Sequence, residues 1–126
     1  MNRNEVEKLT EGLLYMSETD APLKYFELDE EAARQWPPTI ATQFLELIGE
    51  EPKTPVREIP HEKFFETLLG GNEENEDQVK SLQRAFMDSL ENVRLYRVGE
   101  IEIEIYLLGK DGSGKVCGLQ TLSVET

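Results

Sequence analysis

The chain has one cysteine, one histidine and one tryptophan in 126 residues. A single cysteine excludes an intramolecular disulfide framework and fits a reducing compartment. One histidine and one cysteine cannot supply the clustered nitrogen and sulfur ligands of a zinc site. No apolar run approaches the roughly 20 residues that a membrane-spanning helix needs. The opening residues, Met1-Asn2-Arg3-Asn4-Glu5, lack the apolar stretch of a secretion signal, so the expected location is the cytoplasm. Positive charge is scarce as well. There are 13 Lys and Arg against 26 Asp and Glu, a net charge of −13. Phosphate repels such a surface, which argues against direct contact with nucleic acid or anionic membrane and for a cationic protein partner.

What is present suffices for one core. Hydrophobic residues make up 38% of the chain, and the length suits a single domain over residues 1–126. The acidity is uneven. Residues 1–93 hold 9 basic and 21 acidic side chains, whereas residues 94–126 hold 4 and 5. The first three quarters of the chain generate the negative field.

The hydrophobic pattern changes along the chain. Val6, Leu9 and Leu13 recur at helical spacing, and Leu13-Leu14-Tyr15-Met16 is an apolar run to be buried. Ser17–Pro22 reads as a polar loop and Leu23–Leu28 as a strand. Asp29–Arg34 reads as a helical turn or a loop. Pro37-Pro38 opens a helix with Ile40, Phe44, Leu47 and Ile48 on one face of Thr39–Gly49. Glu50–Thr54 is a loop, Val56–Ile59 a strand and His61–Leu69 a helix, with Gly70-Gly71-Asn72 as its end. Val79, Leu82, Phe86 and Leu90 mark the strongest helix, and the acids Glu73–Asp77 suit its positive N-terminal end. From Arg94 the period shortens. Glu100–Ile105 alternates strictly, Lys110–Gly114 is turn chemistry, and Val116–Val124 is the returning strand. The fold class is α+β, helices first and a β-hairpin last.

Few residues invite a chemical role. Gly109-Lys110-Asp111-Gly112-Ser113-Gly114-Lys115-Val116 nearly matches a phosphate-binding loop. Val116 stands where magnesium needs a hydroxyl, and the segment that should be a helix reads β, so a hairpin turn is expected. His61, at a helix start, has no partner marked by spacing and reads as a cap or surface residue. Cys117 reads as a structural strand residue, Trp36 as core, and Glu102 and Glu104 as the wet face of a strand. No cofactor or metal is expected in the free protein, and no enzyme activity. The Ser17-Glu18-Thr19-Asp20 loop is the less ordinary feature. It follows an apolar run that would hold its base, and its hydroxyls could also serve as helix caps. A strand running almost to Thr126 would fix the terminal carboxylate beside a sheet.

Those two features carry a family resemblance. Gly12-Leu-Leu-Tyr-Met-Ser-Glu-Thr-Asp-Ala-Pro22, Leu95-Tyr-Arg-Val-Gly-Glu-Ile-Glu-Ile-Glu-Ile-Tyr-Leu-Leu-Gly109 and Gly118-Leu-Gln-Thr-Leu-Ser-Val-Glu-Thr126 resemble the corresponding blocks of the cyanobacterial nuclease A inhibitor family. The resemblance implies an inhibitor of a magnesium-dependent, sugar-nonspecific DNA/RNA endonuclease. It implies a three-layer α/β/α sandwich similar to plant pathogenesis-related proteins; the free protein is expected to be a monomer. It also implies that Glu18 and the C-terminal Thr126 enter the nuclease active site, with Thr126 approaching the partner's magnesium. Ser17, Thr19, Asp20 and Glu125 are the neighbouring partner-binding candidates. Gly70–Asp77 has no aromatic residue where the family carries an aromatic-rich docking stretch. The alternative function is an acidic adaptor that binds another basic protein through Glu73–Asp77 or Asp29–Glu31.

Overall fold

The computed structural model describes residues 1–125 of the chain. Helix α1, Arg3–Thr10, starts where the Asn2 side chain accepts the Glu5 N–H at 3.0 Å. Two short strands follow, β1 (Leu14–Met16) and β2 (Asp20–Pro22), then β3 (Lys24–Glu27). The Asp29 side chain caps α2, Glu30–Ala33, by accepting the Ala32 N–H at 2.8 Å. Next come α3 (Ala41–Leu47), β4 (Val56–Ile59) and α4 (Glu62–Gly71). A 3-10 turn, Glu73–Asn75, leads into α5, Glu76–Ser89. The chain closes with β5 (Glu91–Val98), β6 (Glu102–Lys110) and β7 (Val116–Val124).

Two antiparallel sheets form among the described residues. β1 and β2 make a small hairpin, and the larger sheet has the order β3-β7-β6-β5-β4. Strand alternation sorts the larger sheet's side chains into two cores. Leu95, Ile103, Ile105, Leu107, Cys117 and Leu119 join the apolar residues of α1, α4 and α5. Tyr96, Val98, Tyr106, Leu108 and Val116 join those of α2 and α3 and Trp36. The second core is aromatic: the Phe44 and Tyr96 rings stack at 4.1 Å, and Trp36 meets both edge-on. Trp36 also donates its indole N–H to the Asn92 carbonyl at 3.0 Å. Its expected core role holds.

Several sequence expectations need correction. Asp20–Pro22 is a strand, not loop, because it pairs with Leu14–Met16. Met16 is 41% exposed rather than buried, since it lies at the far end of a three-residue strand. Ile40 is 59% exposed; α3 begins only at Ala41, so Ile40 precedes the helix instead of lining its face. α4 continues through Gly70 and Gly71, and Asn72 caps it. The last hairpin strand starts at Glu102 and extends to Lys110. Ile101 therefore falls before it and is 59% exposed, unlike the buried Ile103 and Ile105. The wet face of β6 is short as well. Glu104 is half-buried and accepts the Tyr106 hydroxyl at 2.7 Å, because from Tyr106 onward helices cover that face too.

Candidate functional site

The β1–β2 hairpin turns through Ser17, Glu18 and Thr19. Its base and its tip are each fixed by one side chain. At the base, Asn72 acts on both backbone groups of Leu14. Its Oδ1 accepts the Leu14 N–H at 3.2 Å, and its Nδ2 donates to the Leu14 carbonyl and the Leu68 carbonyl, both at 2.8 Å. Asn72 is 7% exposed, so this amide is a buried clamp between the end of α4 and β1. Above it, Tyr15 stacks on Phe64 at 5.4 Å. Burial pushes the Tyr15 hydroxyl's pKa up.

At the tip, the Ser17 hydroxyl closes the turn. It donates to the Thr19 carbonyl at 3.1 Å and accepts the Thr19 N–H at 3.3 Å. It also accepts the Val124 N–H at 3.0 Å. The Glu18 N–H in turn donates to the Val124 carbonyl at 3.3 Å. The serine therefore caps a hairpin rather than a helix, since none follows. Glu18 and Asp20 are exposed and Thr19 is half-buried. This arrangement brings the loop of the first sequence block against the end of β7.

The neighbouring chain is held on its other side. The Glu125 N–H donates to the Ile101 carbonyl at 2.9 Å. The Glu125 carboxylate accepts from the Arg97 guanidinium and from the Ser123 hydroxyl, the latter at 2.8 Å. The Arg97 hydrogen bond, then the Ser123 bond, hold Glu125 below the usual carboxylate range. Glu125 thus has a structural engagement that its sequence role did not include. Thr126 lies outside the described residues. Five exposed carboxylates share this edge by backbone linkage: Glu18, Asp20, Glu100, Glu102 and Glu125. The positive charges of Arg97 and its cross-strand neighbour Arg57 both act on Glu125. An edge of this composition can present oxygen ligands and negative charge to a cationic surface.

The remaining candidates are placed elsewhere. The glycine-rich loop joins β6 and β7 at their other end. Its Asp111 accepts the Ser113 N–H and hydroxyl at 2.9 and 2.7 Å and the Lys115 N–H at 3.0 Å. A phosphate cradle needs such N–H groups aimed outward, and here the loop's own carboxylate takes them. The expected hairpin turn holds. Cys117 is fully buried, and burial pushes its thiol up, which suits a structural residue rather than a nucleophile. His61 stands at the start of α4 without a side-chain capping bond, its Nε2 3.4 Å from a Glu62 oxygen. Of the alternative docking acids, Asp29 is engaged as the α2 cap, while Glu73, Glu74, Glu76 and Asp77 are exposed.

Sequence reasoning missed Asn72 and Arg97. The sequence pattern makes Asn72 a helix end, and the signal for its second role, a neighbouring strand 58 residues away, is not local. Arg97 could have been noticed as a charged residue inside an apolar strand pattern.

Among the described residues, no helix is long and apolar enough to cross a membrane, and no group of three or more His, Cys, Asp or Glu is placed to hold a metal. No curated protein matches the chain significantly. A protein-family comparison matches the nuclease A inhibitor-like proteins over residues 2–126, nearly the whole chain. Membership at that coverage implies a nuclease-inhibiting role with a nuclease as protein partner, and the chain belongs to the nuclease A inhibitor-like family.

Proposed function

We propose that this protein inhibits a magnesium-dependent, sugar-nonspecific DNA/RNA endonuclease by inserting Glu18 and Thr126 into its active site. The observation that carries the reading is the backbone bond from Glu18 to Val124. It holds the Glu18 loop against Val124, two residues before Thr126 in the sequence, which supports joint action of the two. A nuclease cleft gathers cationic side chains and a divalent ion around the scissile phosphate. A carboxylate on a turn pinned at base and tip matches that phosphate in charge, and it loses little conformational freedom on binding. The Thr126 oxygens approach the nuclease's magnesium or its waters, because hard cations prefer oxygen ligands. Ser17, Thr19 and Asp20 shape and flank the inserted turn, and Glu125 adds to its acidic surroundings.

The net charge of −13 acts at longer range. It speeds encounter with a basic enzyme and makes association sensitive to salt. The helices on the two faces of the larger sheet support a three-layer α/β/α arrangement similar to plant pathogenesis-related proteins, with α1, α4 and α5 on one side and α2 and α3 on the other.

The test is plasmid degradation by a purified nuclease of this class, with parent protein, Glu18→Ala and a Thr126 deletion. Parent protein should block degradation, and each variant should weaken the block by at least tenfold, the scale of losing one interface hot spot. Equal inhibition by parent and both variants would overturn the mechanism. A variant neutralised at Glu73, Glu74, Glu76 and Asp77 separates this reading from an acidic adaptor. The inhibitor keeps the bulk of its potency after that change, whereas an adaptor loses its partner.

A further inference from the structure

Two exposed large apolar side chains adjoin the Glu18 edge: Met16, 41% exposed and lying against Gly71, and the more exposed Ile101. Ile101 is 59% exposed, although the other two isoleucines of its alternating run are buried. It belongs to the Gly99–Ile101 turn between β5 and β6. A lone exposed isoleucine is ordinary in itself. What distinguishes Ile101 is how firmly its backbone is held and what surrounds it. The Gly99 N–H donates to the Pro55 carbonyl at 2.9 Å, and the Ile101 carbonyl accepts the Glu125 N–H at 2.9 Å. Gly99 has φ +115, and a Cβ there would meet the Glu102 carbonyl oxygen. Only glycine suits that conformation, so the turn's shape depends on Gly99.

The turn's exposed neighbours in sequence are anionic, and Glu125 beside it is paired with Arg97. Glu100 and Glu102 flank Ile101 in sequence and are exposed. Glu125 is its hydrogen-bond partner, and Val124 joins Glu125 to the Glu18 loop. Ile101 and Glu18 thus bracket the same two residues of the chain from opposite sides. An exposed apolar side chain on a bonded turn, with acidic residues on either side of it in sequence, suits an interface anchor with a polar rim. Ile40, equally exposed, precedes α3 and, among the described residues, has no hydrogen-bond link to this edge.

We infer that the β5–β6 turn is a second contact element for the nuclease, with Ile101 seated in an apolar depression beside its cationic cleft and Glu100 and Glu102 facing the cations that rim it. This inference rests on the inhibitor reading above. Charge complementarity selects the occupant: a basic protein surface satisfies the glutamates while burying the isoleucine.

The experiment measures inhibition of a purified sugar-nonspecific nuclease by parent, Ile101→Ser, Ile101→Val, Ile40→Ser and Glu18→Ala. The unfolding midpoint of each variant is recorded alongside. Ile101→Ser should weaken inhibition roughly tenfold or more with an unchanged midpoint, because the side chain is exposed in the free protein. Its salt dependence should match the parent's, since no charge is altered. Ile101→Val should keep inhibition within a few-fold of the parent, and Ile40→Ser should match it. If Ile101→Ser inhibits like the parent while Glu18→Ala fails, the turn is not a contact and the inhibitor reading stands. If Glu18→Ala also inhibits like the parent, the turn contact and the Glu18 insertion both fall while inhibition itself stands; if the parent does not inhibit, the inhibitor reading falls with them.

Discussion

The Ser17 hydroxyl accepts the Val124 N–H at 3.0 Å across 107 residues of sequence. The same hydroxyl closes its own turn on Thr19. One oxygen therefore couples the conformation of the Glu18 loop to the position of the chain's last strand. Ser17→Ala removes all three bonds at an exposed site where water can replace them. The expected cost is about 1 kcal/mol of stability. Hydrogen exchange at the Val124 amide should accelerate far more than exchange at Leu119 in the buried middle of β7. Unchanged exchange at Val124 would mean that the serine does not hold the two segments together.

Asn72 should matter more. Its amide makes three bonds in a site that is 7% exposed. In Asn72→Ala, the Leu14 and Leu68 backbone groups lose their partners where water reaches them poorly. Such groups carry a desolvation penalty beyond the bond itself. The expected loss is roughly 2–4 kcal/mol, read from urea unfolding. Asn72→Asp keeps an acceptor for the Leu14 N–H but sets a carboxylate against two carbonyl oxygens, so it should be no better than alanine.

Elements with a strong period were legible in the sequence. Val79, Leu82 and Phe86 lie one turn apart and are all buried in α5, as the 3.6-residue spacing requires. Ile103 and Ile105 point to one core because strand side chains alternate. The failures came where tertiary pairing overrode local pattern. Asp20-Ala21-Pro22 looks like loop, and becomes strand only because Leu14–Met16 lies beside it. Ile101 continues the alternation on paper, but the turn at Gly99 ends the ladder before it. For the candidate site, the resemblance gave the chemistry of Glu18, but the partners that hold it, Asn72 and Val124, are distant in sequence. No local rule links Leu14 to Asn72.

Gly118 sets the spacing of the central strands. A Cβ at this position would meet the Leu107 carbonyl oxygen and carbon and the Leu108 Cα, all backbone atoms. β7 is paired on both sides, with β3 and with β6, so it cannot shift away without opening a ladder. Gly118→Ala should therefore destabilise the protein by roughly 3 kcal/mol or more, beyond the ordinary range of point changes. Thermal unfolding checks this. Ser113→Ala, in the exposed hairpin turn, loses one local bond and should cost about 1 kcal/mol. A comparable midpoint for the two would contradict the tight contact.

Glu125 gives the edge a pH dependence with a defined sign. Bonds from Arg97 and Ser123 lower its pKa in the folded protein below the ordinary 4.5. The carboxylate then contributes stability that is fully present above the unfolded-state value. That contribution is lost as pH falls through the lower folded value. The group is about half exposed, so solvent screens the pair and the effect is modest. Glu125→Gln should be less stable than the parent near pH 7, with the gap closing below about pH 4. Arg97→Gln should behave the same way, and the double variant should lose little more than either single one, because both changes remove one interaction. On the inhibitor reading, weaker nuclease binding by both singles at pH 7 would follow from a loosened chain end. Additive losses in the double variant would show that Arg97 and Glu125 act independently, and the clamp on the last strand would have to be assigned to the Ile101 and Ser17 bonds instead.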